Sequence, residues 1–116
     1  MRTPILLSAA LLFTIACGGN APPPADRLAT AEAAARSARE LGADKAPQAQ
    51  LHLQLADEQI AQAKKLMADG ENKRADFVLQ RASGDAELSV MIAKENNARA
   101  EADKAHEHLT NVKSGK

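Results

Sequence analysis

Aromatic side chains are almost missing: the 116 residues include no Trp, no Tyr and only Phe13 and Phe77. Small-molecule and cofactor pockets are walled largely by hydrophobic and aromatic groups, so neither a small-molecule substrate nor a cofactor is expected. Strands favour aromatic and β-branched residues, which argues against a sandwich or an α/β enzyme. Cys17 is the sole cysteine, so no disulfide framework can form within the chain. An excess of one charge is also absent, with 15 basic and 15 acidic residues overall and 14 against 15 from Cys17 onward. That balance leaves no electrostatic footprint for nucleic acid. The length allows one small domain.

What is abundant is alanine. From Cys17 onward there are 23 Ala, against 17 Leu, Ile, Val, Met and Phe together. Such a chain builds helices with a thin core, and a thin core gains from self-association or a partner.

The first sixteen residues carry the marks of an export signal. Arg2 supplies a short basic start, and Ile5 to Ala16 is an uncharged apolar run of twelve residues. As a helix that run spans about 18 Å, too short for a hydrocarbon core of about 30 Å, so it reads as a signal peptide rather than an anchor. It ends Phe13-Thr14-Ile15-Ala16-Cys17, with a small residue just before the cysteine. This stretch resembles the lipobox of bacterial lipoproteins, with Thr14 where that family usually has Leu. The resemblance implies cleavage between Ala16 and Cys17 and lipidation of Cys17, which would hold the protein stably at a membrane through more than one acyl chain. Gly18 follows, rather than the Asp that retains such proteins in the inner membrane of enteric bacteria. The expected location is therefore the periplasmic face of the bacterial outer membrane. An ordinary signal-peptidase cut is the alternative, and it would leave Cys17 as an unpaired thiol in an oxidising compartment.

Residues 17–25 form a tether, with two flexible glycines and then Pro22-Pro23-Pro24, which favours an extended polyproline II path. Residues 26–112 form the helical domain and 113–116 a tail. A first helix is expected from about Asp26 to Leu41, with Leu28, Ala31, Ala35 and Ala38 on one stripe and Gly42 as its stop. Pro47 in a first turn starts a second helix running to about Asp69. Its seam is Ala49, Leu53, Ala56, Ile60, Ala63 and Met67, spaced 4,3,4,3,4 in heptad fashion. Leu51, Leu55 and Leu66 lie on roughly the opposite side, and a helix with two apolar faces usually sits between two neighbours.

Gly70 breaks the chain again, and a third helix is expected from about Asn72 to Val112. Its widest stripe is Phe77, Arg81, Gly84, Leu88, Met91, Glu95, Ala98, Ala102, Ala105, Leu109 and Val112, alternating steps of 4 and 3. Beside it runs a seam of small residues: Ala75, Leu79, Ala82, Ala86, Ser89 and Ala93. Small residues let helix axes approach closely, so an alanine-lined antiparallel hairpin closed at Gly70 is expected. Gly84 is either a tolerated helix glycine, at a cost of about 1 kcal/mol relative to Ala, or a point where another backbone comes close. The fold is thus all-α: either a helical hairpin, with the first two helices end to end against the third, or a three-helix bundle with a long, projecting C-terminal helix. The two apolar faces of the second helix favour the bundle.

Catalytic chemistry finds little support. His106 and His108 stand two apart, about 160° around a helix, so they cannot chelate one ion there, and no metal site is expected. There is no glycine-rich phosphate loop, and Ser83 and Ser89 have no histidine at helical spacing. No enzymatic activity is expected.

Gly42-Ala43-Asp44-Lys45-Ala46-Pro47, followed by Leu53, Ala56, Ile60, Ala63, Gly70, Ala75, Ala82 and Asp85-Ala86-Glu87-Leu88, resembles an uncharacterised domain-of-unknown-function family of alanine-rich helical lipoproteins. The likeness spans roughly Leu28 to Ala100. In that family the domain often precedes an OmpA-like peptidoglycan-binding domain, which the sequence up to Lys116 does not contain, so cell-wall anchoring is not carried over.

Two functions fit these features. The first is a membrane-anchored structural or adaptor lipoprotein that binds itself or another envelope protein through an apolar stripe. Its candidate residues are Leu51, Leu55, Leu66, Ala98, Ala102 and Leu109. The second is a periplasmic binding module that holds a peptide or exported protein in a groove between its helices, near Leu51, Leu55 and Leu66.

Overall fold

The computed structural model describes residues 21–115, all of them helix, turn or short connection. Residues 1–20, which include the expected signal peptide, Ala16, Cys17 and the glycines of the expected tether, lie outside the described residues, as does Lys116. Three helices follow in order: α1 (Ala25–Glu40), α2 (Pro47–Ala68) and α3 (Asn72–Lys113). A 3₁₀ turn at Ala43–Lys45 joins the first two.

The breaks fall where glycine permits a left-handed backbone. Gly42 (φ 80°) ends α1, its N–H bonding the Arg39 carbonyl at 2.9 Å. Gly70 (φ 77°) ends α2 in a Schellman motif, with Glu71 N–H to the Leu66 carbonyl at 2.8 Å and Gly70 N–H to that of Met67 at 3.1 Å. Pro47 opens α2, where its missing N–H costs nothing.

Cross-helix pairs fix the topology. Arg39 with Asp57 and Lys64 with Glu32 tie α1 to α2 in antiparallel sense. Arg27 with Asp76 at one end, and Asn97 with the Leu41 carbonyl at the other, run α1 parallel to α3. Ser89 against Ala49 and Asp85 against His52 set α3 antiparallel to α2. The result is an up-down-up three-helix bundle. Of the two expected arrangements, the hairpin with end-to-end first helices is not formed: α1 folds back beside α2. Exposed ion pairs of this kind add about 0–1 kcal/mol each, so they set register more than stability.

The core is made of alanine. Ala31, Ala35 and Ala38 of α1, Ala49, Ala56 and Ala63 of α2, and Ala75, Ala82, Ala86 and Ala93 of α3 are all buried, joined by Leu53, Ile60, Leu66 and Leu79. The small-residue seam of α3 is the face turned inward, as expected, with Leu79 and Ser89 fully enclosed. The α2 seam holds from Ala49 to Ala63 but closes on Leu66, with Met67 only half-buried. His52, Gln59 and Leu66 are spaced by seven and form the row of α2 that faces α3, so Leu66 meets the start of α3 where the hairpin closes at Gly70.

Past Asn97 the bundle stops and α3 continues. Ala98 to Lys113 are exposed throughout, a projection of about 24 Å at 1.5 Å per residue. The core should be sensitive to a cavity and the surface indifferent. In denaturant titrations, Leu79→Ala should lose about 2–4 kcal/mol, whereas Leu51→Ala should stay within about 0.5 kcal/mol of the parent.

Candidate interaction surface

Leu51, Leu55 and Leu66, grouped by sequence on one face of α2, are separated by the fold. Leu51 is 54% exposed, Leu55 is half-buried and Leu66 is 8% exposed within the core. Leu66 is therefore corrected from an interaction residue to a packing residue, and the three do not form one groove. The remaining candidates, Ala98, Ala102 and Leu109, are exposed on the projecting part of α3.

These three belong to a longer feature. At about 100° per residue, Phe77, Gly84, Leu88, Met91, Ala98, Ala102, Ala105, Leu109 and Val112 lie on the side of α3 opposite its buried seam. Phe77 is 66%, Met91 60% and Leu109 58% exposed. Within the bundle, Phe77, Leu88 and Met91 thus point outward while Ala75, Ala82, Ala86 and Ala93 point inward. Arg81 and Glu95 interrupt the stripe, and Glu95 is turned to its own Arg99, 2.5 Å away.

A β-carbon added at Gly84 would meet nothing within 4 Å. Among the described residues no other segment approaches this glycine, so their packing gives no reason for its presence in the middle of a helix.

Polar contacts that sequence spacing alone did not point out pin α3 to its neighbours. The Asp85 carboxylate accepts from the Gln59 amide at 2.7 Å and shares a 3.0 Å hydrogen bond with His52 Nδ1, all three half-buried between α2 and α3. Ser89 Oγ donates to the Ala49 carbonyl at 2.7 Å inside the core. Asn72 donates to the Ala21 carbonyl at 2.6 Å. Pro22 to Pro24 then flank a groove of about 410 Å³ against Asn72, Asp76 and Phe77. The part of the tether that is described is therefore seated on α3 and not free. The only hint in the sequence is compositional: Asn72 stands in a seven-residue row otherwise filled by Leu79, Ala86 and Ala93.

His106 and His108 are both exposed on the projecting end of α3. Among the described residues, no three His, Cys, Asp or Glu side chains are grouped to hold a metal ion, and no helix is long and apolar enough to cross a membrane. An open groove of about 530 Å³ lies where α3 leaves the bundle, lined by Leu41, Gly42, Lys45, Pro47, Ala93 and Asn97 among others.

The model of a family described as Domain of unknown function (DUF4398) matches residues 26–105. The chain belongs to this family. The match takes in nearly all of α1, all of α2 and α3 as far as Ala105, seven residues before the last apolar position of the α3 stripe, Val112. No curated protein and no solved structure gives a match.

Removing the Asp85 carboxylate strands two half-buried polar partners. Asp85→Ala should lower stability by about 1–2 kcal/mol. Combined with His52→Ala the loss should be smaller than the sum, measured as a double-mutant cycle by chemical denaturation.

Proposed function

We propose that this chain is a lipid-anchored, non-catalytic helical element of the bacterial cell envelope, held at the periplasmic face of the outer membrane and acting as a structural or adaptor protein. The observation that carries the adaptor role is the outward stripe of α3. It runs the length of a helix that outreaches its own bundle, and among the described residues only Pro22 to Pro24, beside Phe77, approach it. A solvent-exposed apolar row of this length on a small domain is characteristic of protein contact.

The anchor rests on the sequence around Ala16 and Cys17. The fold is compatible with it. Asn72 holds Ala21 at the end of the bundle where α1 begins and the α2–α3 turn closes, so the tether leaves from the end opposite the projecting α3. An anchored chain would thus present Ala98 to Val112 away from its attachment point. The reading as a peptide-binding module is less favoured, because Leu66 is core and the α2 face it needs is divided.

Two measurements test the two halves. Fractionation of cells carrying Cys17→Ala should move the protein from the membrane pellet to the soluble fraction; its retention in the pellet after a high-salt wash would sink the anchor. A photo-crosslinking residue at Leu109 should give a defined protein adduct in intact cells, one that the same residue at exposed Arg36 does not give. Absence of any adduct at Leu109 would remove the adaptor role.

A further inference from the structure

We propose that the partner of the α3 stripe is a second copy of this chain, paired antiparallel so that Leu109 of one copy packs over Gly84 of the other. This names the partner in the structural role above and rests on that reading.

The stripe is a heptad row, with steps of 4 and 3 from Phe77 to Val112, the spacing that brings two helices into knobs-into-holes contact. Orientation follows from what each layer would contain. A parallel, in-register pair places Arg81 on Arg81, Glu95 on Glu95 and Gly84 on Gly84, and sets Lys94 beside the partner's Arg99. Three of those contacts are like-charged and one is a void. An antiparallel pair centred between Asn96 and Asn97 removes three of these conflicts and eases the fourth, moving the two Glu95 from one layer into adjacent layers. Leu88 faces the partner's Ala105, Met91 faces Ala102, Leu109 faces Gly84 and Glu95 faces Ala98, so each larger residue meets a small one. Arg81 falls opposite Val112 near the end of the overlap, where its guanidinium can reach water. On the flanks Lys94 comes beside the partner's Glu101, and Glu87 beside the partner's His108. The two-fold axis makes each of these contacts twice.

Two features of the single chain become intelligible. Gly84, with open space around it, is the position that admits the partner's Leu109. The exposed end from Ala98 to Lys113, for which its own bundle has no surface, lies along the outward face of the partner's bundle. That face is diametrically opposite the buried seam of α3, so neither bundle obstructs the other.

The test uses the full chain with Cys17→Ser, so that neither lipid nor disulfide holds copies together, in sedimentation equilibrium. A monomer–dimer equilibrium is expected. Lys94→Glu and Glu101→Lys should each weaken it by roughly tenfold, and the double variant should return to within about threefold of the parent. Both side chains are exposed, so helicity by circular dichroism should not change. Gly84→Leu should give a monomer, and adding Leu109→Ala should restore the dimer by exchanging the large and small partners. A spin label at Lys113→Cys should lie about 50 Å from its copy in the antiparallel pair, and under about 20 Å in a parallel one. A chain monomeric at all concentrations, a short label distance, or a Lys94→Glu variant that dimerises more tightly would overturn the proposal. None of these results bears on membrane attachment, which Cys17→Ala tests separately.

Discussion

Helix axes come only as close as the side chains between them allow, and here those side chains are almost all methyl groups. Of the fifteen buried hydrophobic residues, eleven are alanine. The close approach lets α1, α2 and α3 pack with few large residues. It also means that each contact buries little apolar area, so the hydrophobic contribution per residue is small. Burial must therefore be supplemented by specific polar bonds. Ser89 to the Ala49 carbonyl, Asp85 to His52 and Gln59, and Asn97 to the Leu41 carbonyl at the end of α1 are such bonds, each joining α3 to a neighbouring helix.

The same constraint decides where the large side chains go. The inner seam of α3 is therefore held to small residues with Leu79 as its one large member, while Phe77, Leu88 and Met91 occupy the outer face. In most small domains this distribution would be inverted. An outward row of large apolar groups on a helix longer than its bundle is thus a consequence of building the interior from alanine, and it leaves a surface whose chemistry calls for another helix.

Periodicity made much of this readable beforehand. The three helices, their breaks at Gly42 and Gly70, the inward small-residue seam of α3 and its projection past the bundle follow from spacing and from glycine and proline placement. Spacing failed where two rows of similar periodicity competed. Met67 continues the heptad of α2, but Leu66 continues the row of His52 and Gln59 that faces α3, and the hairpin at Gly70 brings α3 to that row. The contacts of Asn72 and Asp85 join residues 26 to 51 positions apart, and no local pattern encodes such a distance. The docking of Pro22 to Pro24 on α3 was hidden for the same reason: a proline run reads as a spacer whether or not a surface awaits it.

Antiparallel pairing has a geometric consequence for an anchored protein. The overlap from Arg81 to Val112 puts the two Asn72 ends, and the tethers fixed beside them, roughly 70 Å apart at opposite ends of the pair. Copies standing upright on one membrane share an orientation and cannot pair in this way. A pair with both tethers in one bilayer must lie along the surface, each bundle near its own anchor. Charge supports that arrangement over an upright one, since Arg81, Glu95 and Lys94 oppose the parallel alternative. The seating of Ala21 on Asn72 then matters twice, because it shortens the free tether and fixes the end of the rod from which it departs. The alanine core, the outward stripe and the latch at Asn72 therefore bear on one another: the first accompanies the stripe, the stripe would set the proposed pairing, and in an anchored chain the latch would convert that pairing into an orientation relative to the membrane.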